Sequence, residues 1–324
     1  ERIMRYRELG RTGLLVSEIG LGCEGFVDHG GALLAPLLDA AEGAGINYID
    51  LYTPDPEMRT RLGQALRVRR DKFILQAHLC TIWKEGQYKR TRDIGEVKAG
   101  MEDLFARLET DRVEVGMIHY VDAEQDWREV LEGPIMAYAK ELKAAGRIGH
   151  IGLSSHNPAA AARAVASGLI DVLMFSVNPC YDLMPADEDC LALFEAKNYQ
   201  GQLFNMDPER QGLYELCARL GVGVTVMKAF GGGDLLDEKL SPAAKALTPY
   251  QCLHYALTRP GAATVLAGAH TPEELAFCAG YAKAPAEEKD YAAAFAKFPR
   301  ISWRGTACTA ATARLAPRGS TWRW

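Results

Sequence analysis

An aspartate and two histidines stand at the ends of three separate apolar segments of this chain. Asp50 closes the first of these segments, His78 the second and His119 the third. A carboxylate and two imidazoles can hold and pass protons near neutral pH, so together they could perform general acid–base chemistry. They lie far apart in the sequence, so only the fold can bring them into one site.

Strand and helix patterns alternate along the chain and supply the elements that would position these groups. Short apolar segments predict strands at residues 19–23, 48–52, 73–79, 115–120, 151–155, 172–177, 223–229 and 264–268. Amphipathic stretches predict helices at residues 32–44, 93–108, 130–145, 158–167, 212–220 and 249–257. Eight apolar strands of this kind favour a closed parallel barrel, which carries its chemistry at the carboxyl ends of its strands.

The ends of the chain and one internal segment depart from this alternation. Residues 5–9 and 15–19 flank a turn and predict an N-terminal β-hairpin, while residues 182–211, rich in Pro, Asp and Asn, predict an insertion after the sixth strand. No G-x-G-x-x-G motif follows the first strand, which argues against a dinucleotide-binding open sheet. We therefore predict an α/β fold: a single-domain (β/α)8 TIM barrel over residues 1–300 and an irregular C-terminal tail at 301–324.

Composition limits the classes of partner. The net charge is -5, from 37 basic and 42 acidic residues without a long run of either sign, so we expect no nucleic-acid partner. No apolar stretch reaches the ~18 residues of a membrane span and no signal-peptide pattern opens the chain, so we expect no membrane partner. The eight cysteines lie mostly in apolar segments, as reduced thiols do, which predicts a cytoplasmic protein.

Several motifs, in order, resemble those of the aldo-keto reductase superfamily. They are Arg7-Glu8-Leu9-Gly10-Arg11-Thr12-Gly13, Gly20-Leu21-Gly22, Gly45-Ile46-Asn47-Tyr48-Ile49-Asp50, Gly146-Arg147-Ile148 with Ile151-Gly152-Leu153-Ser154, and Gly231-Gly232-Gly233 after Met227-Lys228. Each motif is short, and the ordered set over residues 4–283 is the specific signal. The resemblance implies a barrel that reduces small-molecule carbonyls, or oxidises alcohols, with a nicotinamide cofactor, NADP or NAD.

The resemblance assigns Asp50 to the family's aspartate and His119 to the histidine that fixes the carbonyl. The family's tyrosine, which donates the proton, and its lysine are replaced here by Asp55 and His78. Tyr52 lies two residues after Asp50, on the same face of an extended strand, and is the candidate donor with His78 as its titratable neighbour. The alternative is that Tyr52 only packs at the start of a Pro-rich loop and that His78 hydrogen-bonds a loop.

The resemblance also implies a cofactor site. Its members are Ser154 and Asn178 for the carboxamide, Met227, Lys228, Phe230 and Gly231 around the phosphates, and Gly268 and His270 near the adenosine 2′-phosphate. Glycines let backbone N–H groups approach an anion and a lysine adds charge, although a solvated lysine in a loop is the alternative for Lys228. Since His270 replaces the usual Arg or Lys, the preference between NAD and NADP stays open.

The tail differs from the rest of the chain from Gly305 onward, where Thr-Ala recurs at 306–307, 309–310 and 312–313. One back-translation, shifted by a base, reads C-x-x-C-x-x-C-x-x-C-P, similar to the cysteine runs that bind iron–sulfur clusters. A branch of the superfamily carries such a tail, so we interpret this one as disordered or out of frame. A 4Fe-4S cluster and an electron-transfer partner are expected only with the intact frame, because the tail as written has Cys308 alone.

Two classes of function remain at this point. The leading one is a nicotinamide-dependent oxidoreductase, and the alternative is a barrel that binds a nucleotide or metabolite without turnover, since the usual tyrosine and lysine are replaced. A hydrolytic or lyase barrel would need a metal or nucleophile site, and no residues of the sequence have metal-ligand spacing.

Overall fold

The computed structural model describes residues 4–183, 206–241 and 245–291. The strands are β1 Tyr6–Glu8, β2 Leu15–Ser17, β3 Ile19–Leu21, β4 Tyr48–Leu51, β5 Ile74–Leu79, β6 Thr81–Lys84, β7 Gln87–Arg90, β8 Val113–Ile118, β9 Ile148–Ser155, β10 Val172–Ser176, β11 Gly223–Met227 and β12 Ala262–Ala267. The helices are α1 Leu34–Ala44, α2 Pro56–Leu66, α3 Ile94–Leu108, α4 Glu124–Val130, α5 Pro134–Ala144, α6 Pro158–Ala166, α7 Pro208–Leu220, α8 Pro249–Leu257, α9 Pro272–Gly280 and α10 Ala286–Lys289. No helix of these described segments is long and apolar enough to cross a membrane.

Eight parallel strands close into a barrel, which confirms the predicted (β/α)8 TIM fold. They pair in sequence order from β3 through β4, β5, β8, β9, β10 and β11 to β12, and β12 pairs with β3 to close the ring. Asp50 lies opposite Gln76 between β4 and β5, and His78 lies opposite Met117 between β5 and β8. This register brings the carboxyl ends of β4, β5 and β8 side by side.

The predicted N-terminal hairpin is confirmed and covers the amino-end opening of the barrel. β1 pairs antiparallel with β2, and Leu9, fully buried, packs with barrel residues such as Tyr48 and Val115. Gly10 has a φ of 55°, and a Cβ there would come within 2.3 Å of the Gly221 carbonyl oxygen. Only glycine therefore lets the turn lie so close to the end of α7.

A second hairpin, which the sequence analysis missed, follows β5 at the carboxyl end of the barrel. β6 and β7 pair antiparallel with Trp83 opposite Tyr88, and the turn between them has positive φ at both Glu85 and Gly86. A two-residue turn of this kind suits a tight hairpin. Its strands are largely polar and exposed, so they lack the apolar pattern by which the barrel strands were predicted.

Other predicted boundaries need correction. The helix predicted at 130–145 corresponds to α5 and begins later than predicted, at Pro134, because the chain breaks at Gly133; only Val130, the last residue of the separate helix α4, lies before that break. The insertion predicted at 182–211 ends earlier, since Asp207 caps α7 by accepting from the backbone N–H groups of Glu209 and Arg210. Residues 184–205 and the whole predicted tail lie outside the described residues.

A buried ionic cluster joins the end of β10 to α7 and α8. The Asp182 carboxylate, fully buried, accepts hydrogen bonds from the hydroxyls of Tyr214, at 2.5 Å, and Tyr255, at 2.6 Å. Arg210, also fully buried, lies 3.4 Å from Asp182 and donates to the Ser176 carbonyl at 3.1 Å. Burial raises the pKa of Asp182, while the charge of Arg210 and the two hydroxyls oppose that rise.

We predict that Asp182→Ala lowers the free energy of unfolding by about 3–5 kcal/mol, because it leaves the Arg210 guanidinium buried without its counter-charge. Urea unfolding followed by circular dichroism measures the loss. Asp71→Ala, at an exposed position, is the control and should change stability by less than about 0.5 kcal/mol. Equal losses in the two variants would contradict a structural role for the cluster.

Candidate active site

The three strand-end groups form one continuous hydrogen-bonded set. His78 Nε2 lies 2.8 Å from Asp50 Oδ1, and His78 Nδ1 lies 2.8 Å from His119 Nδ1. The side chains of Asp50 and His78 are 2% and 0% exposed, so water does not compete for these contacts. Groups separated by 28 and 41 residues in the chain therefore become direct partners through the strand register.

A tyrosine from the second hairpin extends this set toward solvent. Tyr88 Oη lies 2.7 Å from His119 Nε2, and the two rings meet edge to face with centroids 5.9 Å apart. With both histidines neutral, every hydrogen bond has one direction, since the Asp50 carboxylate only accepts. His78 then donates to Asp50, His119 donates to His78, and Tyr88 donates to His119.

Asp50, His78, His119 and Tyr88 thus form a line of hydrogen bonds. Burial sets the charge states of its two outer members, His119 and Tyr88. Burial, followed by the charge of His78, lowers the pKa of His119 well below its ordinary value. Burial raises the pKa of Tyr88 to about 12, although the nearby guanidinium groups of Arg90 and Arg92 act in the opposite direction. At neutral pH His119 is therefore uncharged and Tyr88 keeps its proton.

Gln76 fixes the inner end of the line from inside the barrel. Its Nε2 donates to Asp50 Oδ1 at 2.6 Å, while its Oε1 accepts from Tyr48 Oη at 2.7 Å and from Thr225 Oγ1 at 3.2 Å. Gln76 was not among the residues predicted from the sequence, although its position two residues before His78 places both side chains on the same face of β5. The carboxylate thus has two fixed donors, which hold its orientation.

Tyr52, the predicted proton donor, and Asp55, the predicted replacement of the family's tyrosine, are not in the line of hydrogen bonds. Both ring nitrogens of His78 are taken by Asp50 and His119, so Tyr52 pairs with neither nitrogen. Burial raises the pKa of Tyr52 well above its ordinary value, and the nearby Glu24 adds to this. Asp55 caps α2 through its Oδ1, which accepts from the backbone N–H of Met58 at 2.7 Å. The role of Tyr52 as a donor stays a prediction.

A second buried carboxylate supports the rim at the end of β9. Asp122 accepts from His156 Nδ1 at 3.0 Å, from the His156 backbone N–H at 2.6 Å and from Ser155 Oγ at 2.8 Å. Burial alone would raise the pKa of Asp122, but the bonds from His156 and Ser155 outweigh it and lower the pKa. Ser154 Oγ accepts from the backbone N–H of Tyr120 at 2.8 Å, so this predicted cofactor residue is fixed at the rim.

Of the residues predicted around the cofactor phosphates, Met227 is the last residue of β11 and the others follow it, so the strand ends before the predicted residue 229. Lys228 has a φ of 60°, and its carbonyl accepts from Asn178 Nδ2 at 3.0 Å and from the Gly231 backbone N–H at 2.9 Å. Phe230 is buried, and the glycines 231–233 all have positive φ. The turn therefore leaves β geometry immediately after the strand, because Asn178 holds its first carbonyl.

The loop after β12 lies beside a carboxylate that the sequence analysis did not consider. Glu24 Oε2 lies against Gly22 and Gly268, is buried, and has no hydrogen-bond partner in the part of the chain that the structure describes. Burial raises the pKa of Glu24. Nearby, His270 Nδ1 pairs with the Asp28 carboxylate. Within the described residues no group of three or more His, Cys, Asp or Glu side chains is arranged to hold a metal ion.

The chain is similar in sequence and in fold to known proteins. The model of the aldo/keto reductase family matches residues 19–251. The uncharacterized oxidoreductase YqkF of Bacillus subtilis is 30% identical over 288 residues, covering 84% of this chain and 89% of that protein. The aldo-keto reductase YhdN of the same organism is 26% identical over 84% of this chain and 87% of that protein. The fold also matches aldo-keto reductase AKR11C1 of Bacillus halodurans, holo form, with a TM-score of 0.69, 22% identity and coverage of 93% and 98%.

We predict that the free energy of unfolding falls as the pH is lowered from 7 to 5, in part through His119. The pKa of this ring in the folded protein lies well below 6.5, so below that pH the unfolded chain binds more protons than the folded one. One such group contributes at most about 1.4 kcal/mol per pH unit. Urea unfolding at pH 7 and pH 5 should give a smaller loss for His119→Asn than for the wild type. Identical losses would mean that the buried ring titrates normally.

Proposed function

This chain belongs to the aldo/keto reductase family of oxidoreductases, and we propose that it transfers a hydride between a nicotinamide cofactor and a small carbonyl or alcohol. The observation that carries the proposal is the line of hydrogen bonds from Asp50 through His78 to His119 at the carboxyl ends of the strands. A carbonyl oxygen that accepts a hydride at its carbon gains negative charge and needs a positioned proton. This line ends at the barrel mouth, where it can meet that demand.

Each residue of the line has a distinct part in the proposal. His119 has the family's role of positioning the carbonyl oxygen, and because His78 and Tyr88 occupy its two ring nitrogens it acts through Tyr88. His78, in place of the family's lysine, holds a proton beside the Asp50 carboxylate. A tyrosine at this face supplies the proton to the substrate. Tyr52 is the candidate that the sequence predicts, and Tyr88 is the one that contacts His119.

The groups around the predicted cofactor site suit a dinucleotide. The ammonium group of Lys228 and the glycine turn that follows it are suited to phosphate oxygens. The unpartnered Glu24 Oε2 can accept a hydrogen bond from a ribose hydroxyl, and Ser154 and Asn178 stand at the strand ends where the carboxamide is expected. When bound, the cofactor supplies the hydride.

Charge near His270 bears on the choice between the two nicotinamide cofactors. The Asp28 carboxylate pairs with His270 and reduces the positive charge available to a 2′-phosphate. A carboxylate at that point also repels a phosphate directly. We therefore propose that the enzyme accepts NADPH less readily than NADH.

The iron–sulfur interpretation of the tail remains a proposal that the nucleotide sequence of the gene tests. The codons that precede the tail alanines must end in T, since only then does the shifted frame encode the cysteine run. If they do, the intact-frame protein would bind a 4Fe-4S cluster and exchange electrons with a redox partner. We also propose a cytoplasmic location, which the free thiols of the described cysteines support.

We predict that the purified protein oxidises reduced nicotinamide cofactor in the presence of at least one member of a panel of aldehydes and ketones. His119→Asn should lower kcat by about 100-fold or more, because a positioned proton-transfer group typically contributes that much. The matched control is His254→Asn in α8, whose ring pairs with Tyr281 far from the barrel mouth. Cofactor binding without oxidation by any substrate would instead favour a barrel that binds without turnover.

We further predict that Lys228→Met raises the Kd for the dinucleotide by about tenfold or more, because a charge-assisted contact to phosphate is worth about 1.5–3 kcal/mol. Isothermal titration with NADH and NADPH measures the change. Lys140→Met, on the exposed face of α5, removes the same charge elsewhere and should leave the Kd unchanged. An unaltered Kd in Lys228→Met would exclude this lysine from the cofactor site.

A further inference from the structure

The β6–β7 hairpin brings a tyrosine hydroxyl to the outer nitrogen of the histidine pair. Tyr88 Oη contacts His119 Nε2 at 2.7 Å, while the residue Tyr88 is 36% exposed at the barrel mouth. The other face of the hairpin packs on α3, where Ile82 lies close to Gly100. The hydroxyl is therefore held at the inner side and open to a substrate at the outer side.

We propose that Tyr88 is the proton donor of the reaction and takes the part of the tyrosine that is missing after Asp50. The inference rests on the proposed function, because it concerns the acid in that same reaction. It assigns to Tyr88 direct contact with the substrate oxygen, and to His119 and His78 the positioning and resupply of the proton.

The surroundings of the two tyrosines favour Tyr88 over Tyr52. A donor becomes a phenolate after it releases its proton, and neighbouring cations stabilise that phenolate while carboxylates destabilise it. Arg90, whose guanidinium lies 3.8 Å above the Tyr120 ring, and Arg92 both lower the pKa of Tyr88 against the effect of burial. The neighbours of Tyr52 include Glu24 and act in the opposite direction.

One added proton on His78 is enough to reverse the direction of hydrogen-bond donation between His78, His119 and Tyr88. If His78 carries a second proton, it donates to Asp50 from Nε2 and to His119 from Nδ1. His119 must then accept at Nδ1 and donate from Nε2 to Tyr88 Oη. The hydroxyl hydrogen of Tyr88 is thereby released from His119 and can point to a carbonyl oxygen in the barrel mouth.

The hydride and every proton of the reaction are accounted for. The carbonyl carbon accepts a hydride from the reduced cofactor, which becomes oxidised, and the carbonyl oxygen accepts the hydroxyl proton of Tyr88 to give the alcohol. The Tyr88 phenolate takes a proton from His119 Nε2, and His119 takes one at Nδ1 from His78. The exposed Tyr88 then takes a proton from solvent and gives one to His119 Nε2, and His119 passes its Nδ1 proton to His78, so that the buried His78 regains its second proton before the next turnover.

We predict that Tyr88→Phe lowers kcat for carbonyl reduction by about 100-fold or more, with the Kd for the cofactor within about twofold of the wild type. Nitrogen-15 NMR gives a readout without turnover, since loss of the hydroxyl should shift the His119 Nε2 resonance. The matched control is Tyr138→Phe on α5, in the outer helical layer, which should leave both kcat and the His119 resonance unchanged.

Three outcomes would overturn the assignment. Tyr88→Phe could keep its kcat and its His119 resonance while Tyr52→Phe loses activity, in which case Tyr52 is the donor. A faster Tyr88→Phe would mean that the hydroxyl only blocks the place of the carbonyl oxygen. No turnover by the wild type with either cofactor would overturn the proposed function and the donor together, whereas each of the first two outcomes overturns the donor alone.

Discussion

The contact between the Nδ1 atoms of His78 and His119 is the interaction on which the site depends. Two imidazole nitrogens at 2.8 Å can share only one proton between them, so the contact forces one ring to donate and the other to accept. Which ring donates also determines which nitrogen protons are available for the contacts with Asp50 and with Tyr88. The four groups therefore act as one unit, in which all the hydrogen bonds that can reverse change their direction of donation together.

The barrel makes this contact possible through its strand register. His78 is in β5 and His119 follows β8. The parallel pairing of these strands places their ends at the same level along the barrel axis. Asp50, from β4, is held by Gln76, whose own oxygen is fixed by Tyr48 inside the barrel. A shift of one residue in either pairing would turn alternate side chains to the opposite face and separate the three groups.

In our proposal, Asp55 and His78, the two departures from the family pattern, each have a role in this structure. Asp55, which we assign to the position of the family's tyrosine, stabilises the start of α2, a use that tyrosine could not serve. His78, which we assign to the position of the family's lysine, can both donate and accept, which lysine cannot. The hairpin after β5 then brings a tyrosine hydroxyl to the same histidine from another direction. In our proposal a different segment thus restores the proton donor.

The barrel and three members of the hydrogen-bonded line can be predicted from the amino-acid sequence, because the information is local. Apolar periodicity defined the strands, and Asp50, His78 and His119 were conspicuous as ionisable residues at strand ends. The helix break at Gly133 and the end of β11 at Met227 were misjudged, since a glycine break and a side-chain contact from Asn178 decide them.

Contacts between distant segments of the folded barrel determine which further residues join this line. Tyr88 lies in a polar hairpin without apolar periodicity, and its contact with His119 spans 31 residues of sequence. Glu24 and Asp28 reach the loop after β12 only because the first and last strands of the barrel are neighbours. Hydrogen bonds between such distant segments depend on register and ring closure, which no local pattern encodes.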